Sequence, residues 1–390
     1  MKSSPLHIVV NTRLLIGDRL DGIGIFTREV MRRVVAMHPK VRFTFLFMRE
    51  PEQTFLFGPN VTPLVLGPQP REPIINMYWQ EVLVPRALRR LKPDLYLSPE
   101  PMHSLRSPVP CIEVLHDLNY EHDPSVLPFS WRLYYRLMSR RYADAAARIA
   151  TVSRFSKEDI VRLYNIAPDD IDVVYNGPPD PRPMPTEQRK EQVRATFSQG
   201  APYFYFVGTL QDRKNIAGMM RGFDLFRSRV DQDVRLVVAG RRKWWTPRMK
   251  RAFAELRHPE SIVFPGRIDD GTLYEVAAAS LGLLYVPLFE GFGLPILEAW
   301  QAGVPVISSD VASIPEVAGD AALLVDPTHD EEIANALMAL YTDPDERTRR
   351  ALAGRERTSF FSWGRTAELL WETIERVVAA STGKSDHPTT

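Results

Sequence analysis

Cysteine is nearly absent from the 390-residue chain: Cys111 is the only one, so no internal disulfide can form and a disulfide-stapled scaffold is excluded. It lies in the apolar run Cys111-Ile112-Glu113-Val114-Leu115, where it reads as a small buried hydrophobe, and such sparing use fits a reducing compartment. An excess of either charge is also missing. With 49 basic and 48 acidic side chains the formal net charge is +1, so no global field draws the chain to nucleic acid and any anion site must be local. Long hydrophobic runs are lacking too. Leu6 to Val10 is broken by Asn11 and Arg13 and is too short for the apolar core of an export signal. The stretch between Glu275 and Glu290 holds only fourteen residues, a Pro and a Gly among them, too few to span a bilayer.

What is present is ordinary globular composition, 44% hydrophobic and 25% charged, at a length where one core stops growing and two domains are expected. Short β-branched and aromatic runs alternate with stretches of helical period, the pattern of parallel sheets covered by helices. A first series places strands at His7 to Asn11, Phe43 to Phe47, Leu95 to Ser98, Ile112 to Leu115, Ile149 to Val152 and Val173 to Tyr175. Its helices run from Ile25 to Met37, Tyr78 to Leu91 and Phe129 to Ala146. The breaker run from Asn176 to Pro185 reads as a linker. A second series follows, with strands at Tyr203 to Val207, Leu236 to Ala239, Ile262 to Phe264, Leu283 to Tyr285, Val306 to Ser308 and Ala322 to Val325. The domains are therefore expected at 1–180 and 181–362, with a helix from Trp363 to Val378 packing back on the first domain and a polar, frayed tail to Thr390.

The most informative stretch is Phe289-Glu290-Gly291-Phe292-Gly293-Leu294-Pro295-Ile296-Leu297-Glu298-Ala299. It turns through glycines into a helix entered at Pro295, and the free amides of that first turn suit a phosphate. Glu290 before the helix and Glu298 about one turn inside it can face one cleft at different depths. Each can grip hydroxyl groups, since a carboxylate accepts two directional, charge-assisted bonds. A second strand-to-helix turn, Gly208-Thr209-Leu210-Gln211-Asp212-Arg213-Lys214-Asn215, carries two adjacent cations where open α/β sheets bind ligands. Arg213 or Lys214 there can neutralise an anionic leaving group; the bland alternative is a solvated basic turn.

On these motifs, and over nearly its whole length, the chain resembles the retaining glycosyltransferases of family 4, and among them bacterial polysaccharide mannosyltransferases. The resemblance implies the GT-B fold: two Rossmann-like domains facing across a donor-binding cleft. It implies a hexose, mannose from GDP-mannose, moved to a glycan or lipid-linked glycan acceptor with retained configuration. It gives Glu290 contact with the transferred sugar, Glu298 contact with the ribose, and Phe292, Gly293 and Leu294 the role of backbone donors. Many relatives carry an Arg directly after the glycine where this chain has Thr209, which leaves open which of Arg213 and Lys214 meets which phosphate.

Further residues take their roles from the same resemblance. His116, in Leu115-His116-Asp117-Leu118 at a strand end, would bind the transferred sugar while Asp117 fixes its loop. Gly24, in Asp21-Gly22-Ile23-Gly24, would bring an amide to phosphate or acceptor; otherwise the segment is a plain helix start. Asp270, in Arg267-Ile268-Asp269-Asp270, can accept from guanine, which uracil cannot match, although either aspartate can instead cap the next helix. No metal or other cofactor is expected: the eight histidines lack ligand spacing, and no Asp-x-Asp of the metal-dependent sugar transferases sits in a strand-end loop. Gly22-Ile23-Gly24 lacks the third glycine of a dinucleotide fingerprint, which argues against a dehydrogenase.

Arg132, Arg136 and Arg140 recur beside Leu133, Tyr134, Leu137 and Met138, a helix that can meet an anionic membrane or simply be solvated. The expected setting is the cytoplasm, with peripheral contact at the inner membrane face. Open beside this reading stand a transferase using a UDP-sugar, an epimerase or inverting transferase on the same architecture, a glycosidase-like double displacement, and a two-lobed sugar binder without chemistry.

Overall fold

The computed structural model describes residues 5–17, 20–67, 72–240 and 245–383. It divides into two compact units. One comprises the chain through Asn176 and the segment from Ser362 onward; the other is Gly177–Phe361.

The first unit is built on seven parallel strands: β1 (His7–Asn11), β2 (Arg42–Phe47), β3 (Val61–Val65), β4 (Leu95–Ser98), β5 (Cys111–Val114), β6 (Arg148–Thr151) and β7 (Ile171–Val173), ordered β3-β2-β1-β4-β5-β6-β7. The second has six: β8 (Tyr203–Val207), β9 (Arg235–Ala239), β10 (Ile262–Gly266), β11 (Gly282–Tyr285), β12 (Val306–Ser309) and β13 (Leu323–Val325), ordered β10-β9-β8-β11-β12-β13. Central strands such as β1, β5 and β11 are buried along their length, so their sequences are near-continuous apolar runs and not alternating ones. Each sheet reverses its winding once, between β1 and β4 in the first and between β8 and β11 in the second. There two neighbouring strand ends send their loops apart and open a crevice.

Among the differences from the sequence expectation, three have a plain physical reason. Strand β3 went unread because Pro63 interrupts Val-Thr-Pro-Leu-Val; it is an edge strand paired only to β2, where a missing N–H is tolerated. Strand β7 lies at Ile171–Val173, in register with β6 through Ile149 and Ile171, and ends before Tyr175. The single helix expected from Tyr78 to Leu91 is three pieces, Pro73–Tyr78, a π turn at Trp79–Leu83 and Val84–Leu91. Pro85 removes one amide and displaces the carbonyl four residues back, which the wider turn absorbs.

Helices that bear on function are α1 (Gly22–Met37), α2 (Pro73–Tyr78), α3 (Phe129–Ala145), α4 (Asp270–Ala278) and α5 (Leu294–Gln301). The C-terminal helix, Trp363–Gly383, packs on the first unit as expected: Thr373 and Arg376 bond Asp172 at 2.9 and 2.7 Å, and Trp371 stacks on His38. It continues through Ala379 to Gly383, where fraying was expected, and residues 384–390 of the expected tail lie outside the described residues. No described helix is long and apolar enough to cross a membrane.

Candidate active site

Three strands of the second sheet end in glycine. Gly208 after β8, Gly240 after β9 and Gly266 at the end of β10 are joined edge to edge, the Gly208 amide donating to the Ala239 carbonyl at 3.0 Å and the Gly240 amide to the Gly266 carbonyl at 2.9 Å. A Cβ on Gly240 would fall 2.0 Å from the Gly208 carbonyl oxygen, so no other residue fits there without moving backbone. Glycine at these strand ends thus lets the backbones of β8 and β9 approach closely. Sequence reasoning gave these glycines no role, although one at each successive strand end was the signal.

Beside these strand ends, the loop after β8 tightens into a short 3₁₀ turn, Asp212–Lys214, and Asn215 takes a left-handed conformation with φ 56°. Asn215 is held by a 2.6 Å bond to the Pro327 carbonyl, and Asp212 accepts from Thr246 at 2.9 Å. The Arg213 carbonyl accepts from the Leu288 amide at 2.8 Å, lacing this loop to the one leaving β11. Both expected cations consequently converge on Glu290. Arg213 Nη1 lies 2.8 Å from Glu290 Oε1, Lys214 Nζ contacts the same oxygen, and Lys214 donates to the Tyr285 hydroxyl at 2.6 Å. Glu290 is buried, and the Ser313 hydroxyl holds its carbonyl at 2.8 Å. Burial alone would raise its pKa, but Arg213 and Lys214 outweigh it and keep the carboxyl below its ordinary value.

Helix α5 begins at Leu294, one residue before the expected Pro295, because Gly293 serves as its cap in a left-handed conformation with φ 106°. Phe292 is buried edge-on against Phe361, 5.5 Å between ring centres, and so fixes the turn. Among the described residues, nothing accepts from the amides of Gly293 and Leu294. Glu298 follows one turn on, half-buried, with no side-chain hydrogen bond among the described residues. Burial and the nearby Asp270 push its carboxyl up to about 7, against the opposing pull of Arg182 and Lys214. Its helix is seated by Trp300, which is buried against Gly354.

The two aspartates after β10 separate into distinct roles. Asp269 caps α4, accepting from the Gly271 and Thr272 amides at 3.0 Å each, so its carboxylate is used internally. Asp270 is exposed in the first turn, and its backbone carbonyl, not its carboxylate, accepts from Arg182 at 2.7 Å. Arg182, which the sequence reading did not single out, also lies over the Tyr274 ring.

Three expected residues belong to the first unit. His116 is half-buried and bonds the Pro99 carbonyl through Nε2 at 3.0 Å, and burial lowers its pKa. Asp117 fixes the loop as expected, by accepting from the Asn119 amide at 3.0 Å. The role expected of Gly24 requires correction. Its amide donates to Asp21 at 3.0 Å as part of the α1 cap and is not available to a ligand. Its lack of a side chain serves packing, since a Cβ would fall 3.2 Å from the Leu14 carbonyl and 2.9 Å from Leu20.

The second unit therefore presents, at its winding reversal, two cations sharing one buried carboxylate and, among the described residues, a second carboxylate that accepts no side-chain hydrogen bond and helix amides that meet no acceptor. That set suits a phosphorylated, polyhydroxylated ligand. Comparisons with known proteins give the family. Residues 20–179 match the family model described as Glycosyltransferase Family 4, and residues 187–357 the model described as Glycosyl transferases group 1. The chain is 30% identical over 288 residues to O-antigen chain mannosyltransferase B of Escherichia coli, covering 71% of this chain and 73% of that protein. It is 25% identical over 235 residues to O-antigen chain mannosyltransferase RfbU of Salmonella typhimurium, covering 60% and 62%. Among solved structures, Anabaena Alr3699/HepE in complex with UDP-glucose superposes with a TM-score of 0.74 at 15% identity, over 95% of this chain and 100% of that one. Sequence, sheet order and these likenesses together show that the chain belongs to the family 4 glycosyltransferases of the GT-B fold.

Proposed function

We propose that the chain is a retaining, metal-independent mannosyltransferase that takes mannose from GDP-mannose and passes it to a hydroxyl of a glycan or lipid-linked glycan. One observation carries this reading: a buried Glu290 shared by Arg213 and Lys214 at the winding reversal of the second sheet. Two cations side by side at a strand-end loop favour an incoming diphosphate, which supports charge neutralisation without a metal ion. The names of the relatives support the sugar.

In this reading the acceptor oxygen forms its bond to the anomeric carbon on the face from which the phosphate oxygen departs. The acceptor proton passes to that phosphate oxygen, and the bonding pair leaves with the nucleoside diphosphate. Arg213 and Lys214 hold the developing negative charge. Glu290 binds sugar hydroxyls and stabilises positive character at the anomeric carbon without bonding to it, Glu298 accepts from the ribose, and Asp270 accepts from the guanine edge. The amides of Gly293 and Leu294 meet the phosphates, and His116 binds the transferred sugar.

The test is release of nucleoside diphosphate from a panel of GDP- and UDP-sugars, with chelator present and a mixed glycan acceptor pool. GDP release from GDP-mannose, undiminished by chelator and lost in Glu290→Ala, is expected. Release only from UDP-sugars would overturn the donor assignment, abolition by chelator the metal independence, and saturable donor binding without release the transferase reading itself.

A further inference from the structure

A buried tyrosine beside Glu290 has no part yet in the donor chemistry. Tyr285 is the last residue of β11 and is fully buried. Its ring lies against Phe206 of the neighbouring β8, with 6.0 Å between ring centres and 27° between planes, and the Ser308 hydroxyl of β12 holds its carbonyl at 2.5 Å. Ring and backbone are thus fixed from the two flanking strands. A buried tyrosine hydroxyl needs partners, and side chains most often find them in the backbone. Tyr203, which opens β8 at the amino edge of the same sheet, follows that rule: its hydroxyl donates to the Val276 carbonyl at 2.6 Å. Tyr285, at the carboxyl edge, instead meets two side chains of the donor site. Lys214 Nζ lies 2.6 Å from its hydroxyl, and that hydroxyl shares a hydrogen bond with the Glu290 carboxyl.

The direction of these bonds follows from the groups themselves. An ammonium can only donate, so the Tyr285 oxygen accepts from Lys214 and its single proton is left for Glu290. Burial pushes the phenol well above its ordinary value, which keeps that proton in place. We propose that Tyr285 is a positioning residue of the donor site: its hydroxyl seats Lys214 and gives Glu290 a bond that remains when the two cations turn to a diphosphate. Each cation drawn to phosphate takes a donor from the buried carboxylate at the moment when it must face the sugar, and a preorganised neutral donor replaces it without competing for the phosphates. This inference rests on the transferase reading for the task of Glu290 and adds a residue that the reading does not use.

The test compares Tyr285→Phe, which keeps the ring against Phe206 and removes only the hydroxyl, with the same change at Tyr203. At saturating donor, Tyr285→Phe should lower kcat about tenfold or more, the fold-change of losing one hydrogen bond to a charged group. Calorimetric affinity for GDP, or for UDP where the parent prefers it, should fall about fivefold, but less than about twofold when the change is made in Lys214→Ala, because the hydroxyl acts through Lys214. Tyr203→Phe should lower the melting temperature and leave kcat and affinity within about twofold of the parent. A kcat for Tyr285→Phe within about threefold of the parent, an affinity loss of equal size with and without Lys214, or the same loss of kcat in Tyr203→Phe would overturn the proposal. If the parent releases nucleoside diphosphate from no nucleotide sugar, the transferase reading falls by itself. The affinity comparison then decides alone: a loss confined to chains that retain Lys214 supports the seating by Tyr285, and equal losses or none overturn it.

Discussion

The two units place a cation and a glutamate at the same topological position and use them differently. In the first, Arg13 from the loop after β1 meets Glu100 from the loop after β4, with Arg13 Nη2 lying 2.6 Å from Glu100 Oε2 and a second contact through Nε. In the second, Arg213 and Lys214 from the loop after β8 meet Glu290 from the loop after β11. The first pair is enclosed: Asn11 donates to Glu100 at 2.5 Å, Arg13 donates to Asn76 at 2.5 Å, and Arg13 lies over Trp79. Its cation and carboxylate balance. The second gathers two cations on one carboxylate, with a half-buried Glu298 that makes no side-chain hydrogen bond and Gly293 and Leu294 amides that meet no acceptor among the described residues. One winding reversal thus supports folding, and the other keeps unspent polar capacity for a ligand.

The largest effect that would sharpen this contrast is on stability. Glu100→Ala strands the buried Arg13 and should cost about 3–5 kcal/mol, read by denaturant unfolding of the first unit. A loss below about 1 kcal/mol would mean that the enclosed pair is no structural element. Next comes chemistry. Glu290→Ala should lower turnover roughly 10²–10³-fold, the scale of losing one preorganised electrostatic group, while the protein still binds nucleoside diphosphate. Turnover within about threefold of the parent would break the assignment.

A smaller effect concerns pH. The Glu298 carboxyl is raised from 4.5 to about 7 in the folded chain. A raised carboxyl favours the folded state most when protonated, so this contribution is fully present below 4.5 and is lost as pH rises to about 7. Ribose binding needs the ionised form and should run the other way, with donor affinity improving through the same range. Glu298→Gln should flatten both dependences, and an unchanged affinity profile in that variant would remove Glu298 from the site.

Much of this site was legible because its parts are local. The strand-end cations at 213 and 214, and the carboxylates flanking Gly-Phe-Gly, each sit within one loop or helix turn. Sequence separation hid the rest. Arg13 and Glu100 meet across 87 positions, so their pairing appears in no motif. Neighbouring groups that compete for one task were equally hard to divide: only geometry shows that Asp269 caps α4 and Asp270 does not, or that Asp21 occupies the Gly24 amide. The apolar pattern of α3 read as one face, yet Tyr134 and Met138 are core while Leu133 and Leu137 face outward.

Calorimetric titration of GDP into the parent chain, Lys214→Ala and Glu100→Ala, well below their melting temperatures and with chelator present, distinguishes the second winding reversal from the first as the nucleotide site. An affinity loss of about tenfold or more is expected in Lys214→Ala and none in Glu100→Ala. Undiminished binding in Lys214→Ala, or a loss confined to Glu100→Ala, would contradict that assignment.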